Sequence, residues 1–269
     1  MENITEISSG EEQIGRGGFG IVYKVLWHRS VMAVKICSQT ETHKFEREAR
    51  QMSRSGHKNI VRLFGSCFKG DCGYLVMDYE ECGSLYEYLH DREQREYTMA
   101  MAIDWMIQCI QGINHMHSMK PRPLIHRDLK TANLLLSQNY KNLKIGDFGI
   151  STDLRTMMSS LAGTAGYTAP EVLSGKKYTE KCDIYSFGIV LWEVMARRKP
   201  FHHLENQTAW AKIFATDRGE RPKLKDIIPN CEKLQRLIEN CWDQEPKNRP
   251  AGTQIELKDI PCLDIIMRP

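Results

Sequence analysis

The sequence predicts an α+β fold in two lobes, a small antiparallel sheet with one helix followed by a larger, mainly helical lobe. Two observations predict it. In the first third, short apolar and β-branched runs are separated by turn residues, the pattern of strands joined by hairpins. Beyond residue 100 the apolar residues recur at three- and four-residue steps instead, the pattern of amphipathic helices. The sheet-forming lobe is assigned to residues 8–77, a connection to 78–83 and the helical lobe to 84–262, within a chain of 269 residues, long enough to bury a sizeable core.

The first element is a strand entering Ile14-Gly15-Arg16-Gly17-Gly18-Phe19-Gly20-Ile21-Val22. Such a glycine pattern also fits a dinucleotide-binding turn, which a helix would have to follow. Ile21-Val22-Tyr23-Lys24-Val25-Leu26-Trp27 is instead apolar and β-branched, a returning strand, so the glycines form the tip of a hairpin. Without side chains at Gly15, Gly17 and Gly20, that backbone can lie close over a triphosphate and offer N–H groups to it. A strand over Val31 to Ile36 carries Lys35, a helix-like segment spans Glu41 to Ser55, and Ile60 to Phe64 and Tyr74 to Met77 supply two more strands, five in all. Asp78 to Ser84 is polar with one glycine and reads as the connection.

In the second lobe Ile103, Met106, Ile107, Ile110, Ile113 and Met116 form one apolar stripe. Cys182 to Ala196 reads as a helix buried on nearly all sides, with further helices near Thr208 to Thr216 and Cys231 to Cys241. The longest apolar stretch, Ile184 to Met195, contains Glu193 and is too short to span a membrane.

Charge excludes some partners. With 37 basic and 34 acidic residues, a net charge of +3 gives no whole-molecule argument for nucleic acid or a membrane surface. Nine cysteines lack CxxC spacing, so reduced thiols and a cytoplasmic location are expected. Met1 to Glu6 has no apolar run, and no signal peptide is expected.

The chemistry concentrates between Leu124 and Glu171. Asp128, Asn133 and Asp147 stand on short loops between apolar pieces, and hard oxygen donors of this kind suit magnesium and phosphate chemistry. In order, the stretch reads His126-Arg127-Asp128, four residues, Asn133; then Asp147-Phe148-Gly149; then Ala169-Pro170-Glu171. Three motifs in this order and spacing resemble the protein kinases, over about Glu12 to Pro250.

The resemblance implies the bilobal protein-kinase fold and transfer of the γ-phosphate of ATP, with Mg2+. It assigns catalysis to Asp128 and Lys130, and the metal to Asn133 and Asp147. ATP binding falls to Ile14, Gly15, Arg16, Gly17, Gly18, Phe19, Gly20, Val22, Ala33, Lys35, Glu48, Met77 and the backbone of Asp78 and Glu80. Lys35, fifteen positions after Gly20, would hold the α- and β-phosphates, and its anionic partner would be Glu48, with Glu46 as the alternative. By the same resemblance Glu171 pairs with Arg249, and Asp183 braces the catalytic loop. The rival from another class is a pseudokinase, a kinase-shaped binding scaffold; such modules commonly lack residues that are all present here.

Lys130 after Asp128, with Gly163-Thr164-Ala165-Gly166-Tyr167, fits kinases acting on serine or threonine, whereas Cys241-Trp242, Pro246 and Arg249-Pro250 are typical of tyrosine kinases and their serine/threonine-specific relatives. Together they resemble the tyrosine-kinase-like group. The lead-in His117-Ser118-Met119-Lys120-Pro121-Arg122-Pro123 and segments such as Gly83-Ser84-Leu85-Tyr86 are similar to the transforming-growth-factor-β-activated kinase family of mitogen-activated protein (MAP) kinase kinase kinases. That implies stress or immune signalling, with a MAP kinase kinase as protein substrate and an activating adaptor as a partner left open.

Between Asp147 and Glu171, Thr156, Ser159 and Thr164 are hydroxyls of regulatory interest, Thr156 and Ser159 aligning with activating phosphosites. Arg127 offers a guanidinium that a phosphate could engage bidentately. Thr168 stands where this family more often has methionine, and the chain stops about twenty residues after Pro250, so the adaptor-recruiting C-terminal region of the family is expected to be missing, as in a piece of a longer protein or a short paralogue.

Overall fold

A computed structural model describes residues 12–17, 20–38, 42–91, 95–147, 164–204, 208–228, 230–261 and 265–267. The small lobe is a five-stranded antiparallel sheet: β1 (Glu12–Gly17), β2 (Gly20–Trp27), β3 (Ser30–Ser38), β4 (Leu63–Lys69) and β5 (Cys72–Asp78), in the order β1-β2-β3-β5-β4. One helix, α1 (Thr42–Arg54), packs against β4 and β5. The glycine-rich segment is a hairpin, with Gly17 opposite Gly20. Gly20 has φ +151°, and a Cβ there would run into the carbonyl oxygen of Ile36, so only glycine lets the returning strand lie this close to β3.

One strand departs from its expected span. Ile60 and Val61 are 1% exposed but lie outside the sheet. Val61 N–H donates to the Ile145 carbonyl at 2.9 Å, and Ile145 N–H donates to that of Asn59 at 2.9 Å. Their apolar character therefore joins the two lobes, while β4 begins at Leu63 and runs on through Gly65 and Ser66 as a partly exposed edge strand.

The large lobe contains α2 (Leu85–His90), β6 (Tyr97–Thr98), α3 (Met99–Ser118), the hairpin β7 (Leu134–Ser137) and β8 (Asn142–Ile145), α4 (Pro170–Leu173), α5 (Lys181–Ala196), α6 (Ala209–Asp217), α7 (Glu232–Cys241) and β9 (Ile266–Met267), which pairs with β6. Ser84 caps α2 by accepting from Glu87 N–H at 3.2 Å, and the Glu87 carboxylate accepts in return from Ser84 N–H at 2.8 Å, a capping box that ends the connection. The α3 stripe is broader than its periodicity predicts: Ala102, Trp105 and Cys109 are buried too, because α3 packs against both β8 and α5, and Ile107 is only half-buried. Every residue of α5 from Cys182 to Ala196 is buried. No helix among the described residues is long and apolar enough to cross a membrane, and the eight described cysteines are free.

Candidate active site

Lys35 lies on the central strand β3, opposite Val22 on β2 and Leu75 on β5, and is 7% exposed. A lysine so buried needs anionic partners. Its Nζ is 2.8 Å from Glu48 Oε1 on α1 and 2.8 Å from Asp147 Oδ1 beyond β8. Glu48 is buried whereas Glu46 is exposed, which decides between the two carboxylates. Burial alone would lower the Lys35 pKa, but Asp147 and Glu48 outweigh it and hold the ammonium charged well above its ordinary value. Lys35 in turn holds the Asp147 carboxyl below its ordinary value, while burial pushes that of Glu48 up against the pull of the lysine.

Asp128 Oδ2 accepts from Lys130 Nζ at 2.9 Å and from Asn133 Nδ2 at 3.1 Å; its Oδ1 is buried with no hydrogen-bond partner. Asn133 Nδ2 also donates to the Asp128 carbonyl at 2.8 Å, and Lys130 Nζ to Thr164 Oγ1 at 2.9 Å. The loop beneath is held from α5, where Asp183 accepts from the N–H groups of His126 at 2.9 Å and Arg127 at 2.8 Å and lies 2.8 Å from His117 Nε2. Arg127 needs that support, since its φ of +72° is unusual for a side-chain-bearing residue. Its guanidinium carbon lies 5.4 Å from the Tyr178 ring centroid, and its buried Nε has no partner. Arg249 pairs bidentately with Glu171 at 2.6 and 2.8 Å. Thr168 is buried and donates to the Thr164 carbonyl at 3.1 Å.

The profile of the protein kinase domain family matches residues 9–259. The chain belongs to the protein kinase family. It is 45% identical over 247 residues to human mitogen-activated protein kinase kinase kinase 7, covering 91% of this chain and 40% of that protein. The mouse protein of the same name is equally similar, with 42% of its length covered, and the one from Drosophila melanogaster is 43% identical over 242 residues, covering 89% of this chain and 35% of its own. The chain thus spans about two fifths of the length of the curated relatives it matches.

Within this kinase domain, Ala33 is buried and Met77 half-buried opposite it, while Val22 is half-buried and Ile14 and Arg16 are exposed near the glycine tip. Gly18, Phe19, Phe148, Gly149, Thr156 and Ser159 lie outside the described residues. One participant escapes the sequence reading. Lys144 on β8 reaches back to the connection, 2.7 Å from Asp78 Oδ2 and 2.7 Å from Glu80 Oε1. Lys144 thereby ties the carboxylates of both Asp78 and Glu80 to the large lobe. The signal was a lone polar residue in Leu143-Lys144-Ile145, which reads equally as a solvated strand position.

Proposed function

We propose that residues 8–262 form one catalytic unit, lobes 8–77 and 84–262 joined by 78–83, that transfers the γ-phosphoryl group of ATP to serine or threonine hydroxyls of proteins. The observation that carries this is the Asp128 carboxylate: one oxygen is fixed by Lys130 and Asn133, and the other is buried and unpaired. A buried acceptor without a donor is costly unless a ligand satisfies it, and a substrate hydroxyl does so. Asp128 orients that hydroxyl and takes its proton as the new O–P bond forms and the bond to the leaving ADP breaks. Lys130, held by Thr164, offsets charge on the transferred group. Lys35 positions the α- and β-phosphates, and the backbone around Gly15, Gly17 and Gly20 covers them. Asp147 and the amide oxygen of Asn133 would hold magnesium, which when bound would screen charge on the phosphate oxygens.

The relatives' names support a finer reading, that the chain acts as a MAP kinase kinase kinase on a MAP kinase kinase; the motif resemblance extends this to stress or immune signalling in the cytoplasm. Phosphates on Thr156 and Ser159 would be received by Arg127, whose unpartnered Nε and neighbour Arg47 supply positive charge.

The test is transfer from magnesium ATP to a MAP kinase kinase and to a generic basic protein, with phosphoamino-acid analysis. The native chain is expected to label serine or threonine and Asp128→Asn to lose transfer by about 1,000-fold or more; labelling that survives in the mutant, or falls on tyrosine alone, overturns the assignment. Thr156→Ala with Ser159→Ala is expected to lower kcat; unchanged kcat removes the regulatory part only.

A further inference from the structure

Two sequence segments that carry no role in phosphoryl transfer meet on the surface. The end of α1 and the loop after it supply Arg50, Arg54 and Lys58; the basic, proline-bearing stretch after α3 supplies Lys120 and Arg122. All five are exposed, and none forms an ion pair among the described residues. Two contacts stitch the segments together: Arg54 Nη2 donates to the Lys120 carbonyl at 2.9 Å, and the His57 ring stacks on that of His115 from α3, centroids 4.9 Å apart. Arg50 and Arg54 lie one turn apart on the same face of α1. Neither 49–59 nor 114–123 contains an acidic residue. In a chain of net charge +3, five uncompensated cations on two adjoining segments are a concentration that the whole-molecule balance conceals.

We infer that this surface docks an extended acidic segment of a partner protein, its carboxylates facing Arg50, Arg54, Lys58, Lys120 and Arg122. The cations form a stripe that bends from a helix onto a loop, which suits a strand of chain. A lipid surface would favour apolar anchors, and no large apolar side chain is exposed in either segment. Single-stranded nucleic acid would favour open aromatic faces, and the two imidazoles here stack on each other. Arginines present forked donors that match carboxylates, and Arg54 is already held in place by the Lys120 carbonyl.

The imidazole pair reports occupancy. His57 is held below its ordinary pKa by burial, by His115 and by Lys58, the titratable groups that face it from α3 and from its own loop. Carboxylates over the stripe would offset that positive surrounding and raise it.

The probe is a fluorescent peptide of about ten residues alternating glutamate and glycine, with its glutamine counterpart, read by anisotropy at physiological salt. Saturable binding of the glutamate peptide is expected, weakened about tenfold or more by Lys58→Glu, Lys120→Glu and Arg122→Glu together. A control reversing the exposed Arg218, Lys225 and Lys247 elsewhere on the large lobe should bind as the native chain does. The His57 proton signals should titrate at higher pH with peptide bound. Equal loss in both triple variants, unmoved His57 and His115 signals, or tighter binding of oligouridylate or of phosphatidylinositol-phosphate vesicles than of the peptide would overturn the inference. Because binding is read without phosphoryl transfer, the result does not depend on the catalytic assignment.

Discussion

At the scale of single residues, the group with most at stake is Lys35, which satisfies two carboxylates from two lobes. Replacing it with methionine removes a preorganised positive charge from the phosphate site and is expected to lower kcat/KM by about 100-fold or more. The same change leaves Glu48, 4% exposed, without its cation. Burial already pushes that carboxyl upward, and without Lys35 nothing opposes the shift. The folded variant then holds a proton on Glu48 that the unfolded chain releases near pH 4, so its stability should fall as pH rises from there. Thermal denaturation of Lys35→Met and the native chain at pH 5 and pH 8 checks the sign: the gap in Tm should be wider at pH 8. A gap that narrows would mean that Glu48 is not the group left unpaired. That Lys35, Glu48 and Asp147 converge, and Asp128 with Asn133, was legible through the kinase-like motifs, because each is a polar type at a spacing the resemblance fixes. Lys144 was not, because its partners lie 66 and 64 positions away and a single lysine in a short strand carries no sign of them.

At the scale of elements, packing sets what the sequence conceals. Gly188 sits in the buried helix α5, where a Cβ would come within 2.8 Å of Cys241 Cβ and 3.3 Å of the Trp242 amide nitrogen. The glycine therefore fixes how closely α5 and α7 approach. Gly188→Ala should gain helix propensity yet lose stability by about 1–3 kcal/mol through overpacking, seen as a lower urea midpoint with an unchanged slope. A midpoint that rises would show that the two helices can move apart freely. Strands and helices were readable where periodicity and burial agree, as in β3, β5 and the body of α3. Sequence and structure part at Ile60 and Val61, because an apolar, β-branched pair looks the same whether it joins a sheet or bridges two lobes.

At the scale of the molecule, the candidate site is assembled from both lobes. Lys35 and Glu48 come from the sheet and α1; Asp128, Asn133 and Asp147 from the loops around β7 and β8. The lobes are also joined through Val61 and Ile145 and through Lys144 with Asp78 and Glu80. A ligand that touches both sides adds its binding free energy to folding. Magnesium ATP at a hundredfold excess over its Kd should contribute about 2.7 kcal/mol, or about 5 °C in Tm for a chain of this size. Removing the metal with a chelator should take away part of that shift, because Asp147 and Asn133 then face uncompensated phosphate charge. Asp147→Asn should make the shift insensitive to magnesium, and Lys35→Met should shrink what remains. Differential scanning fluorimetry with ATP, with and without magnesium, on the three proteins resolves these contributions. A shift of the same size in Lys35→Met would mean that nucleotide is held somewhere other than the cleft between the lobes, and the assignment of the phosphate site would fall with it.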